Sequence, residues 1–424
     1  MSMSILSTQL VTPASPSNKI RLSLLATALV DALGGPAEFR RRFSFKTVTS
    51  MVSNHNFNLP KGVWTDDTSM ALCLARSIGS SKLRGVEDGF DEHDQLTAYT
   101  NWWSRGELSA TGRCFDIGNT ISRALSIYEP YVNAKDPAAR AKGLREIKTQ
   151  LDHEDCSGNG SLMRVLPVGL AYWEEEEKAR IGMRGMDRCY RQSDAGSLRP
   201  VGVSGSQTTT FSKLDLLEYF TTFPYQNEEL RKALAVPVPD LPNDNLGKSD
   251  RDAAQLESYY RTNHPIIRLI IDTHAEHVKA KRQSTSLPIP SEKALPSSGY
   301  VLHTLVAALY CFFASSTFEE GAILAVNLGN DADTVGAIYG GLAGVWYAGD
   351  VLEGYSNSGI FGKFSSSVIA AYRSLGSANE EEETTKRFWS KRVDGWRKDL
   401  VKREFIEEVA EELVQFQASS SDSV

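Results

Sequence analysis

Leu328-Gly329-Asn330-Asp331-Ala332-Asp333-Thr334 is an elbow between two apolar runs, and its reading sets the fold class of the chain. Before it, Phe318 to Leu328 has helical spacing, with a capping box predicted at Ser316 and Glu319 and a stop at Gly329. After it, Thr334 to Gly349 is apolar for about sixteen residues, whereas a membrane span needs roughly twenty, so a buried helix is expected. Gly336, Gly340 and Gly344 recur at helical spacing along that run. They leave a smooth face on which another helix can lie closely, at some cost in helix propensity.

A second elbow of the same kind lies near the start of the chain. In Gly62-Val63-Trp64-Thr65-Asp66-Asp67-Thr68-Ser69-Met70 a hydroxyl and two carboxylates stand just ahead of an apolar stripe, Met70, Leu74 and Ile78. Helix capping accounts for one acid at such a place, because free backbone amides and the helix dipole attract it. It does not account for two acids at each of two elbows beside buried helices, where like charges repel and raise one another's pKa. A bound cation supplies the missing charge. Carboxylate and hydroxyl ligands without His or Cys select magnesium, manganese or calcium, and six such residues suffice for two ions.

Outward from the elbows the periodicity stays helical: Ile20 to Ala32, Leu96 to Trp103, Ile117 to Tyr128, Ser161 to Trp173 and Val301 to Ala314. Alternating runs bounded by hairpin turns are nearly missing, so an all-α class is predicted. Residues 1–18, rich in Ser, Thr and Pro, read as a flexible arm, and 418–424 as a disordered tail. Residues 19–417 read as one helical domain with mobile insertions near 184–223, 236–252 and 281–298, the last two rich in Pro or in Ser, Lys and Pro. Arg387 to Gln417 reads as an amphipathic helix with Val401, Phe405, Val409 and Leu413 on the packed face.

A net charge of −7 removes any general attraction for nucleic acid or an anionic membrane, so an anionic substrate must meet local positive charge. Five scattered cysteines show neither disulfide nor zinc spacing, which predicts a reducing, intracellular, cytoplasmic setting. Cys156-Ser157-Gly158-Asn159-Gly160-Ser161-Leu162-Met163-Arg164 is a glycine-rich loop expected to run into a helix, with free amides suited to phosphate and Arg164 in the first turn. Such loops are common, and alone this one is a weak signal. Asp31 and Glu38 around Gly34-Gly35-Pro36, and Asp116 in Phe115-Asp116-Ile117-Gly118, read individually as cap or turn residues.

Taken in this order, Asp31 to Gly34 with Glu38, Trp64 to Met70, Phe115 to Asn119, Gly158 to Gly169 and Ala325 to Gly344 resemble the ADP-ribosylglycohydrolase family. The resemblance implies a compact orthogonal helical bundle with a binuclear metal cleft holding two Mg2+ or Mn2+ ions. It implies Thr65, Asp66, Asp67, Asp331, Asp333 and Thr334 as metal ligands, and Glu38, Asp116 and Asp333 as catalytic residues. It implies that Asp116, Gly158, Asn159, Gly160, Ser161, Met163 and Arg164 contact the substrate. The implied reaction is cleavage of ADP-ribose from a protein side chain or small ADP-ribosyl compound, by a monomer without nucleic-acid or membrane partners. A fold-retaining relative that binds ADP-ribose without cleaving it is the alternative, disfavoured by the filled ligand positions. The chain departs from the pattern at Val30, where family members usually carry Gly. It also departs after the glycine loop, where Ser204 to Thr210 is the nearest relic of a Thr-His segment on the nucleotide side.

Overall fold

The computed structural model describes residues 6–86, 89–153, 156–173, 211–236, 253–280, 287–349 and 387–421. In chain order these form helices α1 (Pro16–Gly34), α2 (Asp66–Gly79), α3 (Glu92–Arg105), α4 (Asn119–Tyr128), α5 (Pro137–Leu151), α6 (Leu166–Ala171), α7 (Lys213–Thr222) and α8 (Glu228–Leu234). They continue with α9 (Ala253–Asn263), α10 (Pro265–Lys279), α11 (Val301–Ala314), α12 (Phe318–Val326), α13 (Ala332–Tyr347), α14 (Lys391–Asp399) and α15 (Arg403–Ser421). Among the described residues there are only isolated β-bridges, and the fold is all-α as the patterning predicts.

Helices α1 and α13 form the centre. A Cβ at Gly336, Gly340 or Gly344 would come within 2.8 Å of Val30 O, 2.4 Å of Ala26 O or 2.6 Å of Ser23 Cα, so the two backbones touch along their length. Val30 lies on this seam, its bulk accommodated by Gly336 opposite. At the end of the seam a Cβ on Gly34 would meet Ala332 O at 2.6 Å, which brings the last turn of α1 against the first turn of α13. Helix α1 is long and apolar enough by composition to cross a membrane, but 89% of its most apolar window is buried within the protein, as befits a core helix.

Helix α15 closes the bundle over α1 and α2. Ile406, Val409, Leu413 and Phe416 are buried, and each such side chain contributes about 1.5–3 kcal/mol. Ion pairs fasten its outer edge: Arg21 with Glu411, and Arg76 with Glu408 and Glu412.

Local departures from the sequence reading have local causes. Leu6 is fully buried and Glu257 accepts from the amides of Leu6 and Ser7, so the front of the arm is docked from residue 6 onward. Residues 213–222, inside the irregular stretch expected at 184–223, form α7 with a capping box between Ser212 and Asp215; 184–210 lies outside the described residues, as do 237–252 and 281–286. The α12 cap is one residue later than expected, Thr317 accepting from Glu320 N. The single helix expected over Arg387 to Gln417 is two helices, α14 and α15, broken beside Lys402, whose φ is +52°.

Candidate metal centre and active site

The first elbow is held by a residue from another helix. Asp31, in the last turn of α1 and fully buried, accepts from Thr65 N (3.0 Å), Thr68 N (3.1 Å) and Thr68 Oγ1 (2.5 Å), and thereby caps α2. Thr65 is the N-cap of α2 but makes no cap bond with its own side chain. Its hydroxyl stands 2.9 Å from Asp31 Oδ1 and 3.1 Å from Asp67 Oδ2, so its one proton serves either carboxylate. This frees Asp66 and Asp67, both buried, from capping duty.

The second elbow turns through Gly329 and Asn330, both at positive φ, into Asp331, the N-cap of α13. Asp331 Oδ2 accepts from Asn159 Nδ2 at 2.6 Å, and that same amide group donates to Thr304 Oγ1 at 2.9 Å. Thr334 Oγ1 reaches across to Asp67 Oδ2 at 3.3 Å, tying the two elbows together.

Two acidic triads result. Asp31, Asp67 and Asp333 each place an oxygen within 4.8 Å of the others, and so do Glu38, Asp116 and Asp333. Asp333 belongs to both, at the point where α13 begins. Glu38 is 4% exposed, and Asp116, at φ +53°, is half-buried.

Burial raises every one of these acids, and neighbouring carboxylates push five of them, Glu38, Asp66, Asp67, Asp116 and Asp333, further up. Burial first, then neighbouring carboxylates, push Asp66, Asp67 and Asp333 well above the ordinary carboxylate range. Burial lifts Asp331 against the hydrogen bonds from Thr334 and Asn159. Asp31 is pushed up to about 6 by burial, restrained by the Thr68 and Thr65 bonds. Asp116 is pushed up to about 7 by burial and by Asp31, and Glu38 to about 10 by burial and by Asp116. In addition Asp67 Oδ1, Asp333 Oδ1 and Glu38 Oε2 are buried with no hydrogen-bond donor among the described residues. A buried oxygen without a donor costs about 1–3 kcal/mol, more when charged, so three of them converging mark a place for a cation. The donor set is oxygen only, which fits a hard divalent ion.

Of the six expected ligands, Asp67 and Asp333 fall in the triads, with Asp31, Glu38 and Asp116 completing them; Thr65 and Thr334 hydrogen-bond to Asp67, Asp331 is held by Asn159, and Asp66 is buried beside Asp67. Asp31 is the residue missed in that role. It reads as a cap in the sequence and it is one, but for α2 rather than for its own chain neighbours.

The glycine loop differs from expectation. Helix α6 begins only at Leu166 and spans six residues, because Ser161 to Arg164 form turns; Arg164 thus precedes the helix and no long helix N-terminus follows the loop. Arg164 is buried with its guanidinium 5.1 Å from the Tyr99 ring centroid and Nη1 3.8 Å from Met70 Sδ, directed at α2 and α3. Asn159 holds the second elbow, and Gly158 bridges to Tyr300. Gly160 packs on Ile121, while Met163 and Ser161 are buried, Ser161 Oγ without a partner among the described residues. The relic at Ser204 to Thr210 lies outside the described residues.

Residues 12–353 match the ADP-ribosylglycohydrolase family. ADP-ribosylarginine hydrolase Tri1 of Serratia proteamaculans (strain 568) is 29% identical over 346 residues, which cover 81% of this chain and 74% of that protein. The ADP-ribosyl-[dinitrogen reductase] glycohydrolase of Rhodospirillum rubrum is 24% identical over 332 residues, covering 77% and 85%. A solved ADP-ribosylglycohydrolase-related protein complex superposes with a TM-score of 0.50 at 25% identity, over 95% of this chain and 99% of that one. With the family match spanning most of the chain and both acidic elbows inside it, the chain belongs to the ADP-ribosylglycohydrolase family.

Proposed function

We propose that this protein hydrolyses the glycosidic bond between ADP-ribose and a protein side chain, arginine in the first instance, with two magnesium or manganese ions held by the elbows. The observation that carries the reading is Asp333, common to two acidic triads in which Asp67 Oδ1, Asp333 Oδ1 and Glu38 Oε2 are buried without a donor among the described residues. Thr65, Asp66, Asp67, Asp331, Asp333 and Thr334 would hold the ions. When bound, the ions supply Lewis acidity and an anchor for vicinal hydroxyls.

The chain's own groups do the rest. Asp116 is half-buried with a pKa raised to about 7, a value suited to taking a proton from water near neutrality. That water attacks the anomeric carbon of the ribose, the bond to the acceptor breaks, and the acceptor nitrogen leaves with the bonding pair and takes up the proton that Asp116 accepted from the water, which returns Asp116 to its starting form. Glu38, beside Asp116 and Asp333, is buried deeply enough to change its charge with the occupancy of the cleft. The arginine preference is supported by the Tri1 relatives, which are ADP-ribosylarginine hydrolases. Cys73, Cys114, Cys156 and Cys311 are free thiols, in keeping with an intracellular, cytoplasmic site of action.

The test is release of free ADP-ribose from arginine-linked and serine-linked substrates, with and without magnesium or manganese. Metal-dependent release from the arginine linkage is expected. A well-folded, metal-loaded sample that cleaves neither linkage would overturn the reading.

A further inference from the structure

Residues 39–47 follow Glu38 and form a short tongue beside the second elbow. Two backbone bonds tie the tongue to the second elbow: Phe39 N donates to Asn330 O, and Asn330 N to Arg40 O, each at 2.7 Å. Arg42 staples it from below. This guanidinium is buried and donates to Leu328 O (2.8 Å), Pro290 O (2.8 Å), Leu295 O (2.7 Å) and Ser297 Oγ (3.0 Å). The tongue is therefore preorganised, and what it displays outward is fixed by the fold.

What it displays is unusual for an isolated surface. Phe39 and Phe43 are 69% and 62% exposed, two of the five large apolar side chains exposed among the described residues. Both sit at positive φ, +60° and +64°, a conformation costly for a bulky residue. Exposure gains nothing for the fold and the backbone conformation costs it, so both features point to a ligand. Between and beside the rings, Arg40, Arg41 and Lys46 are exposed and form no ion pair with any described residue. An acidic protein thus carries a small cationic and aromatic face beside its acidic cleft.

We infer that this tongue docks an acidic stretch of polypeptide flanking the modified side chain, so that the substrate is a protein whose modified residue lies among aspartates and glutamates. Charge complementarity selects the occupant: three cations suit a few carboxylates, and aromatic rings suit peptide backbone and apolar side chains. Nucleic acid calls for a broader basic surface than three side chains on a chain of net charge −7. The inference rests on the proposed hydrolase reading and adds the class of substrate to it.

The experiment uses the full chain and the variant Arg40→Ser, Arg41→Ser, Phe43→Asn. Asn adopts positive φ readily, so the ring is removed without forcing the backbone. Three arginine-ADP-ribosylated probes are compared: a peptide with Glu and Asp flanks, one with Lys flanks, and free ADP-ribosyl-arginine. The acid-flanked peptide should show a KM raised about tenfold in the variant and a wild-type kcat/KM that falls with salt, while the other two probes are unchanged. An unchanged KM for the acid-flanked peptide overturns the inference, as does an equal rise for free ADP-ribosyl-arginine, which would mean that the tongue holds the nucleotide. Fluorescence anisotropy with unmodified labelled peptides gives a readout independent of hydrolysis. Wild type should hold the acidic peptide about tenfold more tightly than the variant does, and equal binding, or displacement by an RNA oligonucleotide as effective as by unlabelled acidic peptide, overturns the docking surface. If wild type cleaves none of the probes, the hydrolase reading fails while the anisotropy result still decides the docking.

Discussion

Lys213 and the acids around Asp333 both bury charge, and the two places are finished differently. Lys213, at the start of α7, is fully buried with its ammonium on Phe312 O, Ser315 O (2.6 Å) and Tyr347 Oη (3.0 Å), beneath the Phe312 ring. Three acceptors meet three protons, and two of them are carbonyls at the C-terminal end of α11, where the helix dipole favours a cation, although burial still drags the lysine pKa down. Asp31, Asp67, Asp333 and Glu38 are buried too, yet three oxygens among them have no donor among the described residues, and neighbouring carboxylates push Asp333 up. The first site is complete within the chain. The second is complete only when a cation arrives from outside.

The sharpest way to break this contrast is Asp333→Ala. It removes the carboxylate shared by both triads, and turnover should fall by about a thousandfold or more, roughly 4 kcal/mol of transition-state stabilisation. The metal-free fold should lose nothing, because the variant also removes a repulsive buried charge. Steady-state rates beside a far-ultraviolet circular dichroism melt test both halves. A normal rate would refute the shared-ligand role.

Lys213→Met should do the opposite. Its loss strands buried carbonyl and hydroxyl acceptors, for a destabilisation of about 3 kcal/mol that divalent cations do not rescue. Chemical denaturation midpoints with and without magnesium measure it. A rescue by magnesium would show that the two sites are coupled, against the contrast drawn here.

The third expectation concerns pH. Asp31, Asp116 and Glu38 have folded pKa values raised to about 6, 7 and 10. Groups raised in the folded state contribute stability that is full below the unfolded value near 4 and is lost as pH rises through the folded values. Metal-free protein should therefore melt at progressively lower temperature from about pH 5 to pH 9. Magnesium at a hundredfold over its dissociation constant should restore about 2.7 kcal/mol, chiefly at the alkaline end where the ligands are ionised. Equal magnesium gains at both ends would mean that ionisation of this cluster is not what the metal offsets.

How far the sequence discloses these sites follows from the range of the interactions. The elbows are legible because a cap position and the apolar helix behind it are neighbours in the chain, and the Gly336, Gly340 and Gly344 face because its period is helical. Asp31 capping Thr65 and Thr68 is not legible, since that contact spans 34 residues and depends on how α1 crosses α2. Nor is the grip of Asn159 on Asp331, 172 residues away. The glycine loop misleads for a related reason: glycines announce a turn but not whether the helix resumes at once, and here it waits until Leu166. Arg42 is the plainest case. Nothing in the three consecutive arginines, Arg40 to Arg42, distinguishes one from the next, and only the converging carbonyls of Leu328, Pro290 and Leu295 single out Arg42 as an anchor.

Glu38→Gln gives the smallest expected effect and the finest test of what the unfinished site requires. Glu38 is 4% exposed, its Oε2 has no donor among the described residues, and its pKa is pushed to about 10 by burial and by Asp116. In metal-free protein near neutral pH it is therefore a protonated, neutral carboxyl, and glutamine has nearly its size and the same charge. Stability of the metal-free variant should stay within about 0.5 kcal/mol of wild type. With metal bound, the positive charge favours the ionised carboxylate, which glutamine cannot become, so the rate should fall about tenfold, some 1.4 kcal/mol. Binding of ADP-ribose should weaken less than the rate falls, because the other triad, Asp31, Asp67 and Asp333, is untouched and still supports the ion that anchors the ribose. Isothermal titration with ADP-ribose beside steady-state rates separates the two quantities. Equal losses in rate and affinity would make Glu38 a binding residue, and an unchanged rate would mean that its burial beside Asp116 is packing alone.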